Sequence, residues 1–364
     1  MNKKKILIAT GGTGGHVIPA QSLAVHLNEN KYKVELCTDK RGLKFLKRFN
    51  NIKINIISSS PFVKANFFLM ILSVMIIFYS ILKSILFLIS NRPLIIFGMG
   101  GYSSFPICVA AIILRIKYVV YENNLILGKT NKHLLPFANK IFVSYKDLEG
   151  ISKKYRNKTC VVGNIIKKEI IDISKKKIKN KISKKINILI LGGSQAAKIF
   201  AEVLPKIFKK CVSSKISIKV YQQCLPKQNK YLALFYKNAN VEFEIFNFSN
   251  KLIQYFSKIN LAITRSGSSV LAELTNANIP FISVPLPSSA DNHQLKNAIY
   301  YEKKKFSFLI EEKDLNNKLF NLLKSINKNK LLMENIRTKQ SQYSDKNVYN
   351  NINKQLKKII NEKN

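Results

Sequence analysis

The chain has 364 residues, enough for two domains of ordinary size, each with its own core. Its 61 lysines and arginines against 20 acids give a formal charge of +41, but only 7 of the basic residues are arginine. Without an RNA- or DNA-binding motif, no nucleic-acid partner is expected, and the charge reads as a solvated lysine coat or as attraction to an anionic membrane surface. Cys37, Cys108, Cys160, Cys211 and Cys224 are scattered and form no Cys-x-x-Cys pair, which argues for reduced thiols and against a zinc site. The apolar run behind Lys3-Lys4-Lys5 is shorter than the roughly 7–15 residues of a signal peptide, so a chain that is not secreted is expected.

Short β-like runs alternate with helical patterns from end to end. Strands are predicted at 4–10, 34–38, 52–57, 94–98, 117–121, 140–144, 159–162, 186–191, 216–222, 241–246, 261–264, 281–284 and 306–310. That rhythm predicts repeated βαβ units and parallel sheets covered on both faces. The first strand runs into Gly11-Gly12-Thr13-Gly14-Gly15-His16, and a helical pattern follows (Ile18, Ala20, Leu23, Ala24, Leu27). Glycines there let a ligand approach the backbone, and the helix start behind them favours a phosphate. Val17 stands where a dinucleotide fingerprint needs its third glycine, and no Lys-Ser/Thr pair follows for a P-loop. Gly128-Lys129-Thr130 fails as a P-loop too, because Asn123 occupies the leading glycine position.

Residues 65–82 carry no charge, and beyond Lys83 the apolar run continues to Ile89. About 20 residues can span a bilayer, but one span would leave strand units on opposite sides of the membrane. Basic residues flank both ends (Lys44, Lys47, Arg48, Lys53 and Lys64; Lys83, Arg92, Arg115 and Lys117), so no orientation follows. Core helices account for one face. The other face lacks a polar stripe apart from Asn66, Ser73 and Ser80, and reads as a monotopic membrane patch with lysines at its rim.

A second glycine turn, Gly98-Met99-Gly100-Gly101, follows the strand near 95. The lysine-rich stretch from Lys167 to Lys185 separates two βαβ arrays. Beyond it, Ile186–Leu191 leads into Gly192-Gly193-Ser194-Gln195, and Ala262–Thr264 leads into Arg265-Ser266-Gly267-Ser268-Ser269 with Glu273 downstream. Four glycine turns at strand ends in two arrays predict an α/β chain of two doubly wound, Rossmann-like domains facing each other across a cleft. The domains are drawn at 1–163 and 164–345, with a helix at 346–364 expected to pack back on the N-terminal domain.

The ordered set Gly11–His16, Gly98–Tyr102, Glu122-Asn123-Asn124, Gly192–Gln195, Arg265-Ser266-Gly267, Glu273 and Asp291-Asn292-His293-Gln294 resembles the MurG family, the lipid-linked glycosyltransferases of family 28. The resemblance covers almost the whole chain. It implies a GT-B fold and inverting transfer of N-acetylglucosamine from UDP-N-acetylglucosamine to the C4 hydroxyl of undecaprenyl-pyrophosphoryl-muramyl-pentapeptide, forming lipid II. It further implies a peripheral enzyme on the cytoplasmic face of the bacterial inner membrane, with residues 65–90 against lipid and the acceptor on the N-terminal domain. The competing expectation is a related enzyme that glycosylates another lipid, such as diacylglycerol.

The same resemblance assigns Thr13, Gly14, Gly15 and Asn124 to the donor-contacting loops, and Lys167 to a donor-site position that the family fills with arginine. Ser194 and Gln195 fall at phosphate and nucleotide contacts, Ser268, Ser269 and Glu273 in the segment that holds uridine and ribose, and Gln294 at the sugar. Tyr121, Asn123, Ile165-Ile166 and Ala196 depart from the family pattern. His16 is the candidate general base, a role worth about 10²–10⁴-fold; holding the helix or the substrate without moving a proton is the alternative. No Asp-x-Asp occurs, so no metal and no cofactor are expected, and helix N-termini and Arg265 would stabilise the departing diphosphate. Arg265 reads equally as a structural ion pair, and His133 reads as a packed histidine.

Overall fold

The computed structural model describes residues 4–46, 51–57, 59, 66–175, 185–193, 197–247 and 252–361. The chain divides into two compact units, 1–166 with 345–364, and 167–344. The first unit runs β1 (Lys5–Ala9), α1 (Gly14–Glu29), β2 (Lys33–Thr38), α2 (Lys40–Leu43), β3 (Lys53–Ile56), α3 (Phe67–Ser90), β4 (Ile95–Gly98), α4 (Phe105–Ile113), β5 (Tyr118–Glu122), α5 (Lys129–Leu134), β6 (Lys140–Val143) and β7 (Thr159–Val161). Its seven strands are all parallel, in the order β3-β2-β1-β4-β5-β6-β7. Helices on both faces explain why the strands read as unbroken apolar runs: Ile6, Leu7, Ile8 and Ala9 are all fully buried.

The second unit contains α6 (Lys168–Lys175), β8 (Ile186–Leu191), α7 (Lys198–Ser213), β9 (Ile218–Gln223), α8 (Asn229–Asn238), β10 (Glu242–Phe246), α9 (Ile253–Phe256), β11 (Leu261–Thr264), α10 (Ser268–Asn276), β12 (Phe281–Ser283), α11 (His293–Lys303), β13 (Phe308–Leu309), α12 (Leu315–Lys328) and α13 (Leu331–Ser341). Its parallel sheet has the order β10-β9-β8-β11-β12-β13. Each strand expected from the sequence is present. The last helix, α14 (Val348–Asn361), belongs to the first unit. Tyr349 stacks on His26 of α1 at 4.4 Å and donates to the Ile166 carbonyl at 2.6 Å, and Lys117 Nζ reaches the Ile359 carbonyl at 3.1 Å.

In both sheets the strand order reverses beside the first strand, between β1 and β4 and between β8 and β11. Backbone carbonyls and amides beyond the carboxyl ends of such strands are uncovered, because the following connections leave toward opposite faces. All four glycine turns of the sequence flank these two points. The cores lie beneath them: Leu7, Ile96, Ile107, Val120 and Ile141 in the first unit, and Ile188, Phe200, Leu204, Val220 and Ile263 in the second.

Helix α3 carries the chain from β3 back across β1 to β4, two strands of one sheet. A single bilayer crossing would put its ends on opposite sides, so in this fold α3 lies on the unit and does not span. Its packing inverts the usual pattern. Ser73, Ser80, Ser84 and Leu88 are buried, while Phe67, Phe68, Met75, Phe78, Leu86 and Ile89 are 60 % exposed or more. Each serine hydroxyl donates back to a carbonyl of its own helix (Met70 at 2.8 Å, Ile76 at 2.7 Å, Ser80 at 2.7 Å), which leaves a smooth, satisfied surface against α4. Ala65, Lys47, Arg48 and Lys64 lie outside the described residues.

Candidate functional site

In the first unit the site forms where the connections after β1, β2 and β4 meet, because those strands are neighbours. Helix α1 begins at Gly14, so Gly14, Gly15 and His16 make up its first turn, where the sequence reading put the glycines in the loop ahead of it. Glycine inside a helix costs about 0.5–1 kcal/mol relative to alanine. Packing does not demand it at Gly15, since an added Cβ would meet only the Thr13 hydroxyl, at 3.7 Å. The room left is open space in front of a helix N-terminus. Thr13, the exposed N-cap, makes no side-chain cap bond.

His16 is held by the second glycine turn. A Cβ on Gly100 would stand 3.1 Å from His16 Cε1 and 3.2 Å from Nδ1, and one on Gly101 would stand 3.4 Å from Cδ2. The imidazole therefore lies against bare backbone, at two residues whose φ of +83° and +73° also favour glycine. Glu122, at the end of β5 and buried, organises the opposite side. Its Oε1 accepts from the Asn124 backbone and side chain at 3.0 Å each, and its Oε2 accepts from Gly128 N at 2.9 Å and Asn131 Nδ2 at 3.0 Å. Pro19 has no N–H to give the Gly15 carbonyl four residues earlier. Asn123 Nδ2 supplies that donor instead, at 3.0 Å. Asn123 thus ties the β5 connection to the first turn of α1 and brings Asn124 to the same corner as Thr13–His16.

Tyr121 has a structural explanation as well. Its buried hydroxyl sits 2.8 Å from Ser144 Oγ and accepts from Ile165 N at 3.0 Å, fastening the last stretch of chain before the second unit. Burial pushes its phenol well above the usual range. Asp345 secures the same stretch by accepting from Asn164 N at 2.8 Å.

In the second unit, the turn between β11 and α10 is bracketed by Gln294. Its Oε1 accepts from Ser266 N at 3.1 Å and Leu286 N at 3.0 Å, while Asn297 Nδ2 holds the Ser266 carbonyl at 3.2 Å. Asp291 and Asn292, both with φ near +50°, turn the chain into α11 so that Gln294 faces that turn. Ser268 and Ser269 open α10. Arg265 lies buried beneath: Nη1 donates to the carbonyls of Val284 and Pro285 at 3.3 Å each, Nη2 pairs with Glu312, and the guanidinium sits 4.9 Å over the Phe200 ring. The structural ion pair left open by the sequence is therefore present. Glu273 is 8 % exposed; burial pushes its carboxyl above the usual range, Lys167 pulls it down and Glu169 pushes it up. Helix α6, which directly follows Lys167, packs against α10, which carries Glu273. Ser194, Gln195 and Ala196 lie outside the described residues.

The Glycosyltransferase family 28 N-terminal domain matches residues 6–143, and the Glycosyltransferase family 28 C-terminal domain matches residues 187–356. The chain belongs to glycosyltransferase family 28. A Pelagibacter ubique protein described as UDP-N-acetylglucosamine–N-acetylmuramyl-(pentapeptide) pyrophosphoryl-undecaprenol N-acetylglucosamine transferase is 36 % identical, over 99 % of each chain. A Rickettsia bellii protein of the same description is 34 % identical, over 88 % of this chain and 91 % of its own. Among solved structures, Acinetobacter baumannii MurG superposes with a TM-score of 0.77 at 23 % identity, covering 98 % of this chain and 99 % of that one, a likeness of fold.

Within this family 28 chain, sequence reasoning missed the side chains that hold the site's backbone. Asp39, Asn131, Asn297 and Glu312 carry no motif, and the one available signal was position: Asp39 directly follows a buried strand. Asp39 Oδ1 accepts from Gly12 N at 2.9 Å and Gly42 N at 2.8 Å, and its Oδ2 accepts from the Tyr102 hydroxyl at 3.0 Å. Among the described residues no group of three His, Cys, Asp or Glu side chains is arranged to hold a metal ion.

Proposed function

We propose that the protein transfers N-acetylglucosamine from UDP-N-acetylglucosamine to the C4 hydroxyl of undecaprenyl-pyrophosphoryl-muramyl-pentapeptide, with inversion, to form lipid II. The observation that carries this reading is the likeness to the Pelagibacter relative, which runs through 99 % of both chains. The glycine turns at both strand-order reversals support it.

The first unit takes the acceptor. His16 accepts the proton of the attacking hydroxyl, its ring seated on the Gly100–Gly101 backbone; Thr13, Gly14, Gly15 and Asn124 are donor contacts, at a helix N-terminus suited to a diphosphate. The second unit takes the donor. Glu273 receives the ribose hydroxyls, Lys167 balances its charge, Ser268 and Ser269 open the helix beside the nucleotide, and Ser194 and Gln195 are assigned to it by family likeness. Gln294 uses its Oε1 on two backbone amides, which leaves its Nε2 for the sugar. Arg265 acts by holding the β11–α10 turn at the diphosphate. Helix N-termini thereby meet the charge that develops on UDP as it leaves.

The outward face of α3 docks the enzyme on the cytoplasmic face of the inner membrane. Exposed apolar side chains along one helix and a lysine-rich surface add their attractions for an anionic leaflet. In a bacterium depleted of its own lipid II-forming transferase, expression of this chain is expected to restore growth and lipid II, and the His16→Ala chain is not. Accumulation of the unglycosylated lipid despite good expression would refute the reading.

A further inference from the structure

We propose that Asp39 is a positioning residue of the site: by joining the first glycine turn to the second, it sets where the His16 ring stands. Asp39 follows β2, whose neighbour β1 leads into Gly11–Gly15, while β4 on the far side of β1 leads into Gly98–Tyr102. Three connections therefore converge on one 4 %-exposed carboxylate. Capping the one-turn helix α2 needs a single acceptor, and the bond from Gly42 N to Oδ1 supplies that. The other two bonds do nothing for α2. Gly12 N reaches Oδ1 across 27 residues of sequence, and the Tyr102 hydroxyl reaches Oδ2 across 63.

The packing around Asp39 leaves these turns little freedom. A Cβ on Gly11 would stand 2.5 Å from Ser103 Cβ and 2.7 Å from Asp39 Oδ1, and one on Gly42 would stand 3.0 Å from Gly11 Cα. Gly12 is kept at a φ of +78° with its N–H on Asp39. Arg41 covers the outer side, 4.8 Å over the Tyr102 ring and with Nε 3.5 Å from Oδ2. His16 is attached to the first turn through α1 and rests against the second at Gly100 and Gly101. Its place thus depends on the spacing of the two turns, and Asp39 is the side chain that hydrogen-bonds to both.

The inference concerns the catalytic side chain of the proposed reaction, but one of its tests needs no turnover. In the ligand-free protein, the His16 imidazole resonance, assigned by its loss in His16→Gln, is expected to shift in Asp39→Ala and in Tyr102→Phe. It is expected to return close to its original position in Asp39→Asn, which keeps an oxygen for Gly12 and Gly42. In the transfer assay, Asp39→Ala should lower kcat about 30-fold or more and Tyr102→Phe about 5–10-fold, with KM for UDP-N-acetylglucosamine held within about two-fold, since small misplacements of a reacting group cost this much. Tyr102→Phe leaves the α2 cap and the Gly12 bond in place, so it reports the link should Asp39→Ala fail to fold. An imidazole signal unmoved in a folded Asp39→Ala or Tyr102→Phe protein, or Asp39→Asn as damaging as Asp39→Ala, would overturn the assignment. A wild-type enzyme that turns over no acceptor would instead refute the proposed reaction, and the resonance test of Asp39 would stand by itself.

Discussion

His16 and Glu273 are the two side chains whose chemistry the account needs most. Replacing His16 by alanine is expected to lower kcat by about 10²–10⁴-fold with donor affinity retained, as for loss of a general base; a variant that kept most of its kcat would remove that role. Glu273 gives a pH signature. Burial raises its pKa, so it takes up a proton at a pH where ordinary carboxylates remain ionised. Ribose hydroxyls donate to the ionised form, and protonation therefore weakens binding. Calorimetric titration with UDP-N-acetylglucosamine, whose pyrophosphate carries no proton that titrates near neutrality, should show affinity falling with acidification at a higher pH than a normal carboxylate near 4.3 would give, and Glu273→Gln should flatten the profile at lower affinity. The sequence made both residues visible because they sit beside glycine turns. Asp39 was illegible: one aspartate in a polar turn looks like any other until the sheet order brings three connections to it.

Helix α3 shows where pattern reading reaches its limit. Its composition announced an apolar segment in need of a partner, and the continuity of the sheet on either side argued against a span. What the pattern concealed was which face points inward. Serines at 73, 80 and 84 look like the polar stripe of a surface helix, yet they are the packed face, with their hydroxyls satisfied by their own backbone. Two substitutions separate the faces. Ser80→Leu puts a large side chain into a 1 %-exposed site and should cost about 1–3 kcal/mol of stability, read by denaturant unfolding, as overpacking does. Replacing Phe67, Phe68, Met75 and Phe78 by serine should leave folding intact and lower affinity for anionic vesicles at least about 100-fold, given roughly 1.5–3 kcal/mol per buried apolar side chain. Unchanged vesicle binding by that variant, or resistance of the wild type to extraction by salt and alkaline carbonate, would contradict peripheral docking on this face.

At the scale of the whole molecule, the strands were legible because parallel strands buried on both faces must be continuously apolar, and Ile6–Ala9 or Ile188–Leu191 admit little else. The neighbour relations were not legible, since sequence order does not reveal that β1 lies between β2 and β4. That one fact brings the first glycine turn, the second and Asp39 to a single corner. The contacts that hold the last helix were likewise hidden, because α14 reaches the first unit through pairs such as His26 with Tyr349 that join residues over 300 positions apart. The central claim is the transfer itself. Purified protein, UDP-N-acetylglucosamine and either undecaprenyl-linked muramyl-pentapeptide or diacylglycerol should give product with the muramyl lipid alone, and its NMR spectrum should show a β-linkage to the C4 oxygen. No turnover of the muramyl lipid, product with diacylglycerol instead, or an α-linkage would contradict the account.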